Sequence, residues 1–163
     1  MPRSKGMKYT AIDSPIGELL LAGDEEGLRR VSMSPFSVAA DWTRDDEFFG
    51  DACAQLEQYF RGERREFDLP LKLDGNSFEL SVWDALREIP YGETASYGEV
   101  ARSLGHPDAP RAVGAANGRN PVAIIVPCHR VIGANGSLTG YGGGLERKRF
   151  LLDLEAGVIP LTA

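Results

Sequence analysis

The spacing of apolar residues changes at Asp74-Gly75-Asn76, and this change limits the possible folds more than any other feature. Before it lie three short apolar-rich stretches, Met7 to Ile12, Glu18 to Ala22 and Leu28 to Met33. They are separated by Ser14-Pro15-Ile16-Gly17 and Gly23-Asp24-Glu25-Glu26-Gly27, both turn-forming sequences, so they read as strands of an antiparallel sheet. Asp51 to Arg61 places Ala52, Leu56, Tyr59 and Phe60 at helical spacing. Arg64 to Leu73 alternates around Pro70, as a strand or an extended connector. Beyond the break, Phe78, Val82, Leu86 and Ile89 form one helical stripe over Ser77 to Ile89, with Ser77 able to cap its start. The expected fold class is therefore α/β of the α+β kind. A small antiparallel sheet unit spans residues 1–75, with 1–6 a loose tail, and a mainly helical unit spans 76–163.

Within the second unit, Ser96-Tyr97-Gly98-Glu99 has the form of a capping box. The helix it opens runs to about Leu104 and stops at Gly105, and Pro110 suits the first turn of a second helix through about Asn117. Two short helices with a tight Gly-containing connection read either as a DNA-binding helix-turn-helix or as a plain helical hairpin. Arg111 stands near the start of the second helix, which is otherwise made of small residues, Ala112, Gly114, Ala115 and Ala116. Gly133 to Gly144 reads as a loop, and Leu145 to Ala156 as a final helix stopped by Gly157.

Net charge is −6 over 163 residues, which on its face disfavours nucleic acid. Tyr97 to Phe150, however, holds seven basic and three acidic residues, a local +4 that leaves −10 on the rest. A basic face on an acidic protein can hold a phosphate backbone, and solvated helix faces are the plainer alternative. The longest apolar run, Val122 to Val126, is too short to cross a membrane. Two cysteines and two histidines make neither a disulfide framework nor a paired metal site, and a reducing, cytoplasmic setting is expected.

Cys128 follows that strand-like run and is flanked by Pro127 and His129, with Arg130 next. An imidazole or a positive charge beside a thiol favours the nucleophilic thiolate. On an extended strand, though, neighbours point to opposite faces, so His129 reaches Cys128 only if the chain turns or a water bridges them. The residues alone leave a reactive thiol and an inert buried one both open. Glu155 falls on the apolar side of the last helix, between Leu151 and Leu152, where a carboxylate needs a partner. A Cys–His–Glu relay and a pairing with an arginine or water both explain it.

The stretch Asn120-Pro-Val-Ala-Ile-Ile-Val-Pro-Cys-His-Arg-Val-Ile-Gly resembles the reactive-cysteine signature of the methylated-DNA–protein-cysteine methyltransferases, which repair O6-alkylguanine. The similarity extends through Pro90-Tyr91-Gly92-Glu93-Thr94, Ser96-Tyr97-Gly98-Glu99-Val100-Ala101, Arg111-Ala112-Val113-Gly114 and Gly140-Tyr141-Gly142-Gly143-Gly144. It implies a ribonuclease-H-like N-terminal sheet and a winged-helix-like C-terminal unit carrying the helix-turn-helix. Cys128, its sulfur ionised at the floor of a cleft, would accept the alkyl group from guanine O6. His129, through a water held with Glu155, would take the thiol proton, and Asn120 would brace the turn.

Tyr97 would donate to the leaving guanine and help rotate the nucleotide, and Arg111 would fill the gap left in the base stack. Ala112, Gly114, Ala115, Asn117 and Thr94 would complete the DNA contacts in the minor groove. Tyr141, Gly142 (through its backbone), Val131 and Val126 would line the guanine pocket. The implied reaction is a single irreversible transfer per molecule, with O4-alkylthymine left open as a second substrate. No cofactor is expected, and no metal, because the N-terminal Cys and His that bind zinc in some members are missing. The expected partner is double-stranded DNA containing O6-alkylguanine, with no membrane, bound by a monomer whose cooperativity is open. A non-catalytic alkylated-DNA-binding or regulatory module and a cysteine hydrolase are the competing readings.

Overall fold

The computed structural model describes residues 6–138 and 140–158. Apart from Gly6, the expected tail at 1–6 lies outside the described residues. The N-terminal half is a four-stranded sheet in the order β3-β2-β1-β4, built from β1 (Lys8–Ile12), β2 (Leu19–Asp24), β3 (Gly27–Met33) and β4 (Thr43–Arg44). β1–β2 and β2–β3 are antiparallel, and the short β4 adds in parallel to β1. Leu19 and Leu21 of β2, with Val31 of β3, face the common core, and the intervening Leu20 points to the opposite face. The β2–β3 turn closes on Gly27 (φ 146°), where an added Cβ would sit 2.8 Å from the Pro70 oxygen.

α1 (Gly50–Phe60) buries Ala52, Leu56 and Tyr59 as its spacing predicts. Its Gln55 accepts from the backbone N–H of Asp68 (2.9 Å) and donates to the Asp68 carbonyl (3.1 Å). That pair pins the Arg64 to Leu73 stretch as an extended connector, which joins the sheet at a Leu28–Leu71 bridge. α2 (Ser77–Arg87) begins where expected, ends two residues before Ile89 and has a different cap. Asn76, not Ser77, is the cap, and its side chain accepts from Glu79 N (2.8 Å) while the Glu79 carboxylate accepts from Asn76 N (3.0 Å).

β5 (Ala95–Ser96) leads into α3 (Tyr97–Ser103), which opens on the expected Ser96/Glu99 capping box. α4 (Pro110–Gly118) follows with Pro110 in its first turn. Trp83 Nε1 of α2 donates to the Ala116 carbonyl of α4 (2.9 Å), fixing the helix-turn-helix on the core. β6 (Val131–Ile132) pairs in parallel with β5, and α5 (Leu145–Glu155) closes the unit. Buried residues from both halves form one continuous core.

The apolar run before the cysteine is not a strand. Only Val122 bridges to the sheet, at Val31, and then the chain turns back. Ile125 N donates to Ala123 O (2.8 Å) and Val126 N to Val122 O (3.0 Å), with Ile124 at φ 73°. Positive φ at a β-branched residue costs on the order of 1–3 kcal/mol and must be held by its surroundings. Asn120 does so: its Oδ1 accepts from Val122 N (3.0 Å) and its Nδ2 donates to Val126 O (2.7 Å).

Candidate active site

The turn held by Asn120 delivers Cys128 onto a single 3-10 turn, Cys128–Arg130, so the thiol and the next two side chains do not alternate as on a strand. Cys128 is 6% exposed at a cavity of about 340 Å³. The walls come from α4 (Asn117), from Tyr141 to Gly143 and Arg147, and from Met33 to Pro35 at the end of β3. Arg147 joins the two sides, donating to the Ser34 carbonyl (2.6 Å) and hydroxyl (3.1 Å).

Behind the cysteine lies a buried charged network. The Glu155 side chain is 1% exposed, and Oε2 accepts from His129 Nε2 (2.7 Å), Arg130 (3.0 Å) and the Tyr59 hydroxyl (2.5 Å). Oε1 accepts from Arg130 Nε (2.8 Å), and Arg130 also donates to the Ile89 carbonyl (2.7 Å). Burial opposes ionisation of Glu155, but His129 and then Arg130 hold its carboxyl at about 2. An ionised carboxylate can only accept, so His129 carries its proton on Nε2 and presents Nδ1 as a free lone pair. Burial lowers the His129 pKa, partly countered by Glu155.

The same burial decides the state of the sulfur. Desolvation pushes the Cys128 thiol up and outweighs the Asn120 side chain and the Lys148 charge, both of which favour the thiolate. The resting sulfur is thus a neutral thiol, not the ionised one expected from its basic neighbours in sequence. Arg130 is committed to Glu155, and Lys148, fully buried, donates to the Val131 carbonyl (2.6 Å). Among the described residues four buried side-chain polar atoms have no hydrogen-bond partner. Three of them are Tyr141 Oη and Asn117 Oδ1, whose residues line the cavity, and His129 Nδ1, next to Cys128 in the chain. Such orphaned groups are rare in folded proteins.

The other expected residues fall in several places. Arg111, Ala112 and Ala115 lie exposed on α4, Thr94 is exposed before β5, and Tyr97 packs against Gly114. Asn117 does not belong with the DNA-facing group: it is 3% exposed and donates to the Cys128 carbonyl (3.3 Å). Val126 and Val131 do not line the cavity either. Both side chains are fully buried, and their carbonyls already accept from Asn120 and Lys148. Tyr141 and Gly142 do line it. Tyr59 and Met33 to Pro35 escape a sequence reading of the site, since nothing local links Tyr59 to a residue 96 positions away, and Arg130 serves Glu155 where its sequence position suggests Cys128. The basic segment also shrinks as an electrostatic surface, with Arg130 and Lys148 buried and Arg119 paired to Glu79. Among the described residues, no three His, Cys, Asp or Glu side chains cluster to hold a metal ion, and no helix is long and apolar enough to cross a membrane.

Two short helices beside a cavity that ends on a buried cysteine, backed by a His–Glu–Arg network, fit the class of DNA-binding proteins that work through one thiol. Residues 77–157 match the family model described as 6-O-methylguanine DNA methyltransferase, DNA binding domain, and residues 7–73 match the ribonuclease-like domain of the same description. A methylated-DNA–protein-cysteine methyltransferase of Methanosarcina acetivorans is 58% identical over 91% of this chain and 98% of its own. One from Mycobacterium tuberculosis is 56% identical over 93% and 94%. The crystal structure of Mycobacterium tuberculosis OGT in complex with DNA superposes with a TM-score of 0.90 at 56% identity, covering 94% of this chain and 95% of that one. The chain belongs to the 6-O-methylguanine DNA methyltransferase family.

Proposed function

We propose that this protein repairs DNA by direct reversal, moving one alkyl group from guanine O6 to Cys128 of each molecule. The observation that carries the reading is a buried cysteine on a cavity of about 340 Å³, followed in the chain by a histidine whose Nδ1 has no hydrogen-bond partner among the described residues. The O6 carbon lies inside the base stack, so the nucleotide must be extruded at a cost of a few kcal/mol. Arg111, exposed at the start of α4, fills the space left behind. The small exposed side chains Ala112 and Ala115 let the helix approach the minor groove closely.

In the cavity the S–H proton passes to His129 Nδ1, directly or through one water, as sulfur attacks the saturated carbon. The S–C bond forms as the C–O6 bond breaks, and the electron pair leaves with the purine oxygen. Tyr97 donates to the departing guanine, which leaves poorly as a bare anion. Tyr141 lines the pocket that receives the purine. Delaying ionisation until the base is seated keeps the thiol from reacting elsewhere, and Glu155 stabilises the imidazolium without taking its proton. The product is a thioether, and among the described residues lining the cavity no group is placed to reverse it. Double-stranded DNA containing O6-alkylguanine is the partner, bound by a monomer, and a reducing cytoplasm keeps both cysteines as free thiols.

The test is stoichiometry. With excess O6-methylguanine duplex, restored guanine rises to one equivalent per protein and stops, and Cys128→Ser restores none. Continued turnover contradicts the reading. Binding without restoration favours a non-catalytic recognition module instead.

A further inference from the structure

The catalytic network contains one residue from the N-terminal half to which the reaction above gives no task. Tyr59 sits at the end of α1, fully buried, and its hydroxyl donates to Glu155 Oε2, the oxygen that also accepts from His129. Its ring is fixed among Phe60, Phe67 and Tyr91, with centroids 5.3, 5.5 and 6.2 Å away. Burial, and then the carboxylate beside it, push the phenol well above its ordinary range, so it remains a donor at every working pH.

We infer that Tyr59 is a positioning residue for alkyl transfer, acting through Glu155 on His129; the inference rests on the alkyl-transfer reading. Oε2 receives three donors, from Tyr59, His129 and Arg130, and each fixes the carboxylate in place. With that oxygen saturated, Glu155 cannot pull the Nε2 proton off the imidazole. The Nδ1 lone pair therefore stays available to the thiol. The Tyr59 bond also spreads the carboxylate charge, which limits how strongly Glu155 stabilises imidazolium and keeps His129 neutral and ready as a base. The charged and titratable groups around this pair are Arg130 and Cys128 on the same turn, Lys148 on α5, Tyr59 on α1 and Tyr91 after α2. Through this one hydroxyl the N-terminal half becomes part of the reaction centre instead of only its support.

Tyr59→Phe keeps the ring packing and removes one oxygen. The measurement is the rate of alkyl transfer from free O6-benzylguanine against pH, alongside duplex affinity and melting temperature. We expect a loss of about tenfold at neutral pH, typical of losing one hydrogen bond to a charged group. The freed carboxylate stabilises imidazolium more, so the His129 pKa rises and the acid limb of the profile moves up by about half a unit. Duplex affinity stays unchanged. A lower melting temperature with the same rate and the same acid limb would make Tyr59 merely structural and overturn the inference.

Should Tyr59→Phe not fold, site-specific 3,5-difluorotyrosine at position 59 keeps the bond and strengthens the donor. The acid limb then moves down, and an unmoved limb overturns the inference. If wild-type protein takes no benzyl group at Cys128, the functional reading itself falls. If wild type reacts and Tyr59→Phe matches it, only the role of Tyr59 falls.

Discussion

Glu155→Ala destabilises the protein by about 3–5 kcal/mol, the usual penalty for leaving a buried charge without its partner. The reason is the arrangement around the carboxylate. Arg130 is 6% exposed and gives Glu155 two of its three hydrogen bonds, and His129 is fully buried. Removing the carboxylate leaves a guanidinium in the core with only the Ile89 carbonyl. A chain of this size loses about 2–4 °C in Tm per kcal/mol, so calorimetry should record a fall of roughly 6–20 °C.

The pH dependence follows from the same group. The carboxyl is depressed from 4.5 to about 2 in the folded chain, so between those values the unfolded chain binds more protons. Its stabilising contribution is complete above about 4.5 and is lost as pH falls through about 2; in full it amounts to about 3 kcal/mol. Glu155→Gln, which keeps the shape without the charge, should flatten this acid dependence in denaturant titrations. A Glu155→Ala protein as stable as wild type at pH 7 would mean that the network is not held as described.

Arg111→Ala separates DNA handling from chemistry. Arg111 is exposed on α4, has no ion-pair partner among the described residues, and takes no part in the buried network. Its loss should slow transfer from duplex O6-methylguanine by about 100-fold, the factor set by leaving a few kcal/mol of base extrusion uncompensated. Transfer from free O6-benzylguanine, which needs no extrusion, should change by less than about twofold. The comparison is made in single-turnover kinetics on the same preparations. Equal losses on both substrates would remove Arg111 from the base-stack role.

Residues whose roles depend on local spacing were legible in the sequence. The Ser96/Glu99 capping box, Pro110 at a helix start, the three strands and two turns up to Met33 and the inward side of Glu155 all follow from contacts within a few positions, whereas β4, paired in parallel to a distant β1, does not. The approach to Cys128 was not legible. Val122 to Val126 has strand composition, yet Asn120 takes two of its backbone groups and forces a turn, overriding propensity with side-chain hydrogen bonds. The protonation of Cys128 is not legible for a related reason. Neighbouring His129 and Arg130 suggest a lowered pKa, but folding directs Arg130 to Glu155 and buries the sulfur, so desolvation dominates. Arg130 as the counter-ion of Glu155 and Tyr59 as its third donor depend on long-range packing, with Tyr59 96 positions from its partner.

The two cysteines allow the most direct test of the central claim, because Cys53 is a half-buried thiol on α1 that serves as an internal control. Protein treated with O6-benzylguanine is digested and its peptides are weighed. The account predicts one benzyl group on the peptide containing Cys128 and none on the peptide containing Cys53. Benzyl on Cys53, spread over both, or absent from Cys128 would contradict it.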